Sequence, residues 1–182
     1  MIMTLYLVRH GKTEYNIVKR YTGSTDVGLS EEGLHQAEKT AELLKDIKFD
    51  IIVSSPLLRA KITAEAIAKY HPDTPMIFMD GFRERSFGDW EGKEYEDRSF
   101  IDFICLPENI HTAPDKGEPI IEFDKRVGAA LDELAKKYPD KTVLVVAHGM
   151  VSRMINRRIN GLEFGEANKF LLANCDFIKY EI

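Results

Sequence analysis

The chain has 182 residues, with 25 Lys and Arg against 30 Asp and Glu and a formal net charge of −5. That length suits a single domain spanning 1–182 with a sizeable core. The acidic balance argues against a general nucleic-acid binder, whose footprint is a basic excess. No run reaches the length of a membrane-spanning helix, and Met1 to Thr4 carries no basic signal-peptide start, so a cytoplasmic protein without a membrane partner is expected. Cys105 and Cys175 are far apart and in no zinc-like spacing, which predicts buried, reduced thiols. Oligomeric state, a homodimer included, is left open.

Strand and helix patterns then alternate along the chain, predicting an α/β fold: a three-layer αβα sandwich around a mostly parallel sheet. Leu5 to Val8 is an apolar strand ending in Arg9-His10-Gly11. Ser30 caps a predicted helix from Glu31 to about Lys45, with Leu34, Ala37, Ala41 and Leu44 on one face. The strand Ile51-Ile52-Val53 runs into Ser54-Ser55-Pro56-Leu57-Leu58-Arg59, where Ser55 reads as an N-cap, Pro56 as the first helical residue and Arg59 as part of the first turn. That helix extends to about Tyr70, buries Ile62, Ala66 and Ile67, and stops at His71-Pro72. A short strand follows at Met76–Met79.

The rhythm breaks over 81–119. This stretch holds Phe82, Phe87, Trp90, Tyr95, Phe100 and Phe103 among many charges, then a loop from Leu106 to Pro119 with three prolines. A long, aromatic-rich insertion predicts an ordered cap over the strand ends. A helix from about Glu122 to Tyr138 presents Phe123, Val127, Ala130, Leu131 and Leu134. Thr142 to Ala147 is a strand ending in His148-Gly149, Met150 to Ile159 a helix, and Asp176 to Ile182 a last edge strand.

Three strands thus end in Arg-His, Arg and His, and adjacent parallel strands place such ends together at the carboxyl edge where ligands bind. Solvated surface does not account for three such endings. Paired guanidinium N–H groups match a phosphoryl dianion in a way Lys cannot. His35, His71 and His111 sit beside turns or on a helix surface and are expected to be exposed. Asp26 and Glu31 are expected to stabilise a loop and a helix start, and Trp90 to join the core.

The segments Arg9-His10-Gly11-Lys12-Thr13-Glu14-Tyr15-Asn16, Tyr21-Thr22-Gly23-Ser24-Thr25-Asp26, Ser54-Ser55-Pro56-Leu57-Leu58-Arg59-Ala60, Phe82-Arg83-Glu84-Arg85-Ser86-Phe87-Gly88-Asp89-Trp90-Glu91-Gly92 and Ala147-His148-Gly149 resemble the histidine phosphatase superfamily, in order and across nearly the whole chain. The closest likeness is to its small phosphatase branch, which includes α-ribazole phosphatase and broad-specificity enzymes. The resemblance implies a phosphomonoesterase acting on a small phosphorylated substrate. His10 becomes phosphorylated, Arg9, Arg59 and His148 hold the phosphoryl group, and Glu84 is the general acid and base. Asn16, Thr22, Gly23 and Gly149 contact the phosphate. No cofactor or metal is implied. A carboxyl group can serve both proton transfers if burial or neighbouring carboxylates lift its pKa.

The alternative within the family is phosphoglycerate mutase-type transfer; those enzymes carry a basic insertion that is not found here. A binding protein without turnover would have no chemical reason to keep Glu84, and a metal hydrolase on His10 and His148 would set a divalent ion among Arg residues. Three departures affect substrate preference: Lys12 where Glu is common, Gly117-Glu118-Pro119 in place of Gly-Glu-Ser, and Met150 after His148-Gly149 in place of a second Gly.

Overall fold

Val, Ile and Leu crowd the strand segments because parallel strands are buried on both faces and pack helices on each. In the computed structural model, which describes residues 2–95 and 107–182, these segments form one sheet. Its strands are β1 (Thr4–Arg9), β2 (Ile51–Ser54), β3 (Met76–Phe78), β4 (Thr142–Ala147) and β5 (Phe177–Glu181), ordered β3-β2-β4-β1-β5. β1, β2, β3 and β4 run parallel, and β5 pairs antiparallel with β1 at the edge.

Alternation along the strands separates two apolar layers. Leu5, Leu7, Val53, Val143 and Val145 face the helices α4 (Ile120–Lys137) and α5 (Gly149–Asn160). Val8, Ile52, Leu144 and Val146 face α2 (Glu31–Leu44) and α3 (Leu58–Ala68). The expected three-layer α/β architecture is therefore observed. Two one-turn helices that periodicity did not mark, α1 (Glu14–Ile17) and α6 (Phe164–Ala167), flank the strand ends. No helix among the described residues is long and apolar enough to cross a membrane.

Several local expectations need correction. α3 begins at Leu58, with Leu57 as N-cap; Ser55 is not the cap, and Asp26 instead accepts from Leu58 N at 2.7 Å. α4 starts at Ile120, directly after Pro119. Leu34 is 47 % exposed, because α2 turns Gly33, Ala37, Thr40, Ala41 and Leu44 inward instead. The register is set by Gly33: a Cβ there would stand 2.0 Å from the Lys12 carbonyl oxygen, so only glycine lets the loop after β1 lie this close. His71 is buried and packs edge-on against Phe49. His35 and His111 are exposed as expected, and Trp90 is half-buried at the rim of the core. Cys175 is buried, and burial pushes its thiol up to about 12, which leaves it inert. Cys105, Phe100, Phe103 and Leu106 lie outside the described residues.

Candidate active site

The parallel register brings the three strand tips together. Arg9 pairs with Ala147, His10 N donates to Ala147 O at 3.0 Å, and Ser55 N donates to Val146 O at 3.0 Å. His10 and His148 therefore leave neighbouring strands side by side, with ring centroids 5.1 Å apart. Backbone contacts fix the tip of β1: Asn174 Nδ2 donates to His10 O at 2.9 Å, and Thr63 Oγ1 accepts from Gly11 N at 3.1 Å.

The His10 ring is held at both nitrogens. Nδ1 lies 2.7 Å from Gly11 O, which requires the proton on Nδ1. Nε2 is then an acceptor, and Arg59 Nε donates to it at 3.3 Å. Burial first, then the charges of Arg59 and Arg9, hold the His10 pKa well below the usual histidine value, although the Gly11 carbonyl acts the other way. The result is a neutral imidazole with a lone pair facing a cation.

Arg59 is 1 % exposed. Its two terminal nitrogens donate to Thr25 O and Gly23 O, both at 2.7 Å, so it braces the loop 22–26 as well as His10. Burial lowers its pKa to about 10, with Glu84 opposing the shift, so it stays charged at neutral pH. Arg9 donates to Leu172 O at 2.8 Å, while its Nε is buried with no hydrogen-bond partner among the described residues. His148 is fully buried; its Nε2 lies 2.7 Å from Ser55 Oγ and its Nδ1 has no hydrogen-bond partner among the described residues. Burial, and then Arg59, keep its pKa well below the usual value. Thr22 Oγ1 is another buried polar atom without a hydrogen-bond partner among the described residues. Leaving such a group unpaired costs roughly 1–3 kcal/mol.

Arg9, His10, Asn16, Thr22, Gly23, Arg59, Glu84 and Gly149 line one cavity of about 470 Å³, and Tyr21, Phe87 and Tyr95 supply its aromatic wall. The insertion thus contributes Glu84, Phe87 and Tyr95 to the pocket. His148 lies buried beside His10 rather than on the cavity surface. Asn16 closes a capping box with Thr13 at the start of α1 and also lines the cavity. A more open depression of about 690 Å³ holds Arg157 and Arg158, both paired with Asp124, and none of the predicted site residues.

Glu84 is 8 % exposed. Its Oε1 accepts from Arg85 N and its Oε2 from Met150 N, each at 3.0 Å, so the carboxyl group spans the insertion and the first turn of α5. The segment that carries it is clamped by Arg126 of α4. That guanidinium donates to Gly81 O at 3.0 Å, Arg83 O at 2.8 Å and Glu84 O at 3.2 Å, and pairs with both Glu118 oxygens at 2.7 and 2.8 Å. Sequence reasoning did not single out Arg126, Ser55 as a histidine partner, or Glu91. Glu91 accepts from Ser24 N, Ser24 Oγ and Phe87 N at 2.8, 3.0 and 3.0 Å, and from Thr25 Oγ1. Burial favours its neutral form, yet these hydrogen bonds prevail and hold its pKa below the usual range. The only local signal for Glu91 was its place in the Gly88-Asp89-Trp90-Glu91-Gly92 run.

Comparison with known proteins identifies the family and the fold. The family described as the histidine phosphatase superfamily (branch 1) matches residues 5–182. The phosphatase PhoE of Bacillus subtilis is 41 % identical over 155 residues, covering 85 % of this chain and 76 % of its own. The adenosylcobalamin/α-ribazole phosphatase of Salmonella typhimurium is 32 % identical over 160 residues, covering 85 % and 79 %. Among solved structures, the phosphoserine phosphatase of Entamoeba histolytica in complex with 3-phosphoglyceric acid superposes with a TM-score of 0.85 at 33 % identity, covering 97 % of this chain and 89 % of that one. With family and fold in agreement, the chain belongs to the histidine phosphatase superfamily and is a phosphatase that hydrolyses phosphomonoesters.

Proposed function

We propose that the protein hydrolyses small-molecule phosphomonoesters through a phosphohistidine on His10, with Glu84 as general acid and then general base. The observation that carries this reading is the His10 ring, whose Nδ1 is held by Gly11 O at 2.7 Å so that Nε2 keeps its lone pair. In the first step Nε2 attacks phosphorus, the P–O bond to the alcohol breaks, and the Glu84 carboxylic acid gives its proton to the departing oxygen. In the second, water attacks phosphorus, the Glu84 carboxylate takes the water proton, and the P–N bond breaks to return the lone pair to Nε2. Dividing one displacement into two replaces a hard step with two easier ones. Arg9, Arg59, Thr22 and the first turn of α5 at Gly149 neutralise the transferring group.

Rapid acid-free quenching of enzyme mixed with 32P-labelled substrate should trap a base-stable, acid-labile label at one equivalent per chain. Inversion of configuration at phosphorus, where two successive displacements give retention, would exclude the covalent route. Conversion of 3-phosphoglycerate to its 2-isomer, with little free phosphate, would favour the mutase alternative.

Ser55 has a role in this scheme. Ser55 Oγ accepts from Leu57 N at 3.3 Å and lies 2.7 Å from His148 Nε2, to which its hydroxyl donates in this scheme. His148 then carries its own proton on Nδ1, the atom with no partner among the described residues, as a donor for a phosphoryl oxygen. Ser55→Ala removes this tautomer preference and should lower kcat/KM about tenfold, the equivalent of one neutral hydrogen bond. Ser55→Thr should restore it. Imidazole 15N spectra that show an unchanged His148 tautomer in Ser55→Ala would remove Ser55 from the scheme.

A further inference from the structure

One carboxylate of the insertion takes part in no step of the phosphoryl chemistry, yet donors crowd around it. Glu91 Oε1 accepts from Ser24 N at 2.8 Å, Ser24 Oγ at 3.0 Å and Phe87 N at 3.0 Å, and Oε2 accepts from Thr25 Oγ1. Ser24 and Thr25 belong to the loop 22–26, 67 and 66 residues earlier in the chain. The carbonyl groups of that loop are taken by a cation: Arg59 donates to Thr25 O and to Gly23 O, both at 2.7 Å. Two opposite charges thus grip one loop, the anion by its N–H and hydroxyl groups and the cation by its carbonyls.

Two further contacts make the grip specific. Asp26 Oδ1 accepts from Leu58 N at 2.7 Å, which ties the loop to the helix that carries Arg59. Gly23 has a φ of +50°, and a Cβ there would collide with the Glu91 carboxylate, so glycine is what admits the acid this close. Burial is the main depressor of the Arg59 pKa, and Glu84, Asp26 and Glu91 act against it. Glu91 therefore supports the guanidinium through space as well as through the loop.

The loop presents Thr22 and Gly23 to the cavity, and Thr22 Oγ1 is buried with no hydrogen-bond partner among the described residues. Arg59 spends its terminal nitrogens on the loop and its Nε on His10 Nε2, at 3.3 Å. A displaced loop would carry both the hydroxyl and the guanidinium away from the nucleophile. We propose that Glu91 is a positioning residue for the phosphoryl site: acting through the loop 22–26, it holds Thr22 Oγ1 and the Arg59 guanidinium where they meet the transferring group. The inference rests on the phosphatase reading above and adds a residue to that same site. Donors fixed in advance need no rearrangement as charge develops. Since Phe87 N is its other donor, Glu91 also joins the loop to the aromatic wall of the cavity.

The test reads inorganic phosphate as a competitive inhibitor of p-nitrophenyl phosphate hydrolysis, because an inhibition constant does not depend on how much of the protein is folded. Glu91→Gln keeps the shape of the side chain and removes its charge. It should weaken phosphate about tenfold, and Thr22→Val should do the same, each the equivalent of one hydrogen bond to a charged group. As both act at one hydroxyl, the double variant should lose about 20-fold, short of the 100-fold product that independent sites would give. In Glu91→Gln, kcat/KM should fall by the same factor for p-nitrophenyl phosphate and for an alkyl phosphate, since the phosphoryl group is common to both. An unchanged inhibition constant in Glu91→Gln, a double variant at the full product, or a larger loss for the alkyl ester, as if Glu91 acted through Glu84, overturns the positioning role alone. Wild-type affinity for phosphate in Thr22→Val would defeat the placement of the phosphoryl group against this loop, and the role of Glu91 with it.

Discussion

Replacing His10 with alanine is expected to lower kcat/KM by about 10⁴-fold or more, the loss typical when a covalent nucleophile is removed from an otherwise intact site. Binding should survive, because Arg9, Arg59 and His148 are anchored by contacts that do not need the His10 ring. Arg59 in particular keeps its bonds to Thr25 O and Gly23 O at 2.7 Å. The variant should thus hold inorganic phosphate about as well as the wild type does. Residual activity within tenfold of the wild type would show that water attacks phosphorus directly and that His10 only binds.

The same substitution has a consequence for stability. Burial, with the Arg59 and Arg9 charges, keeps the folded His10 pKa well below the ordinary value near 6.5. Below about pH 6.5 the unfolded chain therefore takes up a proton that the folded chain refuses. Stability present above that pH is lost as pH falls toward the folded pKa, at up to about 1.4 kcal/mol per pH unit for one such group. His148 is shifted in the same direction and adds to the slope. Denaturant unfolding between pH 7.5 and 5 should show a shallower decline in His10→Ala than in the wild type. An equal slope would mean that His10 takes a proton in the folded state as readily as in the unfolded one.

The parts of this site that could be read from the chain are those set by local pattern. A β-branched run ending in His-Gly places an imidazole at a strand tip by geometry alone, and this happens at His10 and again at His148. Arg59 followed in the same way, since it lies in the first turn after β2. What could not be read depends on contacts between distant segments. The start of α3 shifts from Pro56 to Leu58 because its cap comes from Asp26 across the pocket loop, which frees Ser55 for His148. Leu34 shares a periodic stripe with buried residues, but close approach of the Lys12 carbonyl to Gly33 rotates α2 away from it. Arg126 and Glu91 look like surface charges in sequence. Their work is to hold backbone groups 42 and 67 residues away, at Glu84 and Ser24.

Glu84→Ala should give the second large effect, and its form is more diagnostic than its size. An acid–base residue contributes about 10²–10⁴-fold, concentrated where the leaving group needs a proton. With an alkyl phosphate both steps suffer, so turnover should fall by about 10³-fold with no burst. With 2,4-dinitrophenyl phosphate the phenolate departs unprotonated, and only the water step needs Glu84. That substrate should show a burst of about one equivalent, followed by slow turnover, as labelled His10 accumulates. Glutamine is a poor probe here. Glu84 Oε1 and Oε2 each accept a backbone N–H, from Arg85 and Met150, and an amide NH₂ would oppose one of them. That mismatch costs roughly 1–3 kcal/mol and would be confused with lost catalysis. Alanine leaves those two N–H groups unpaired as well, so the comparison between substrates within one variant carries the weight. Equal losses for alkyl and dinitrophenyl esters, with no burst from either, would show that Glu84 supports the fold of α5 and its insertion without moving a proton. A burst confined to the good leaving group would place the proton on Glu84, because a structural defect does not depend on the basicity of the alcohol.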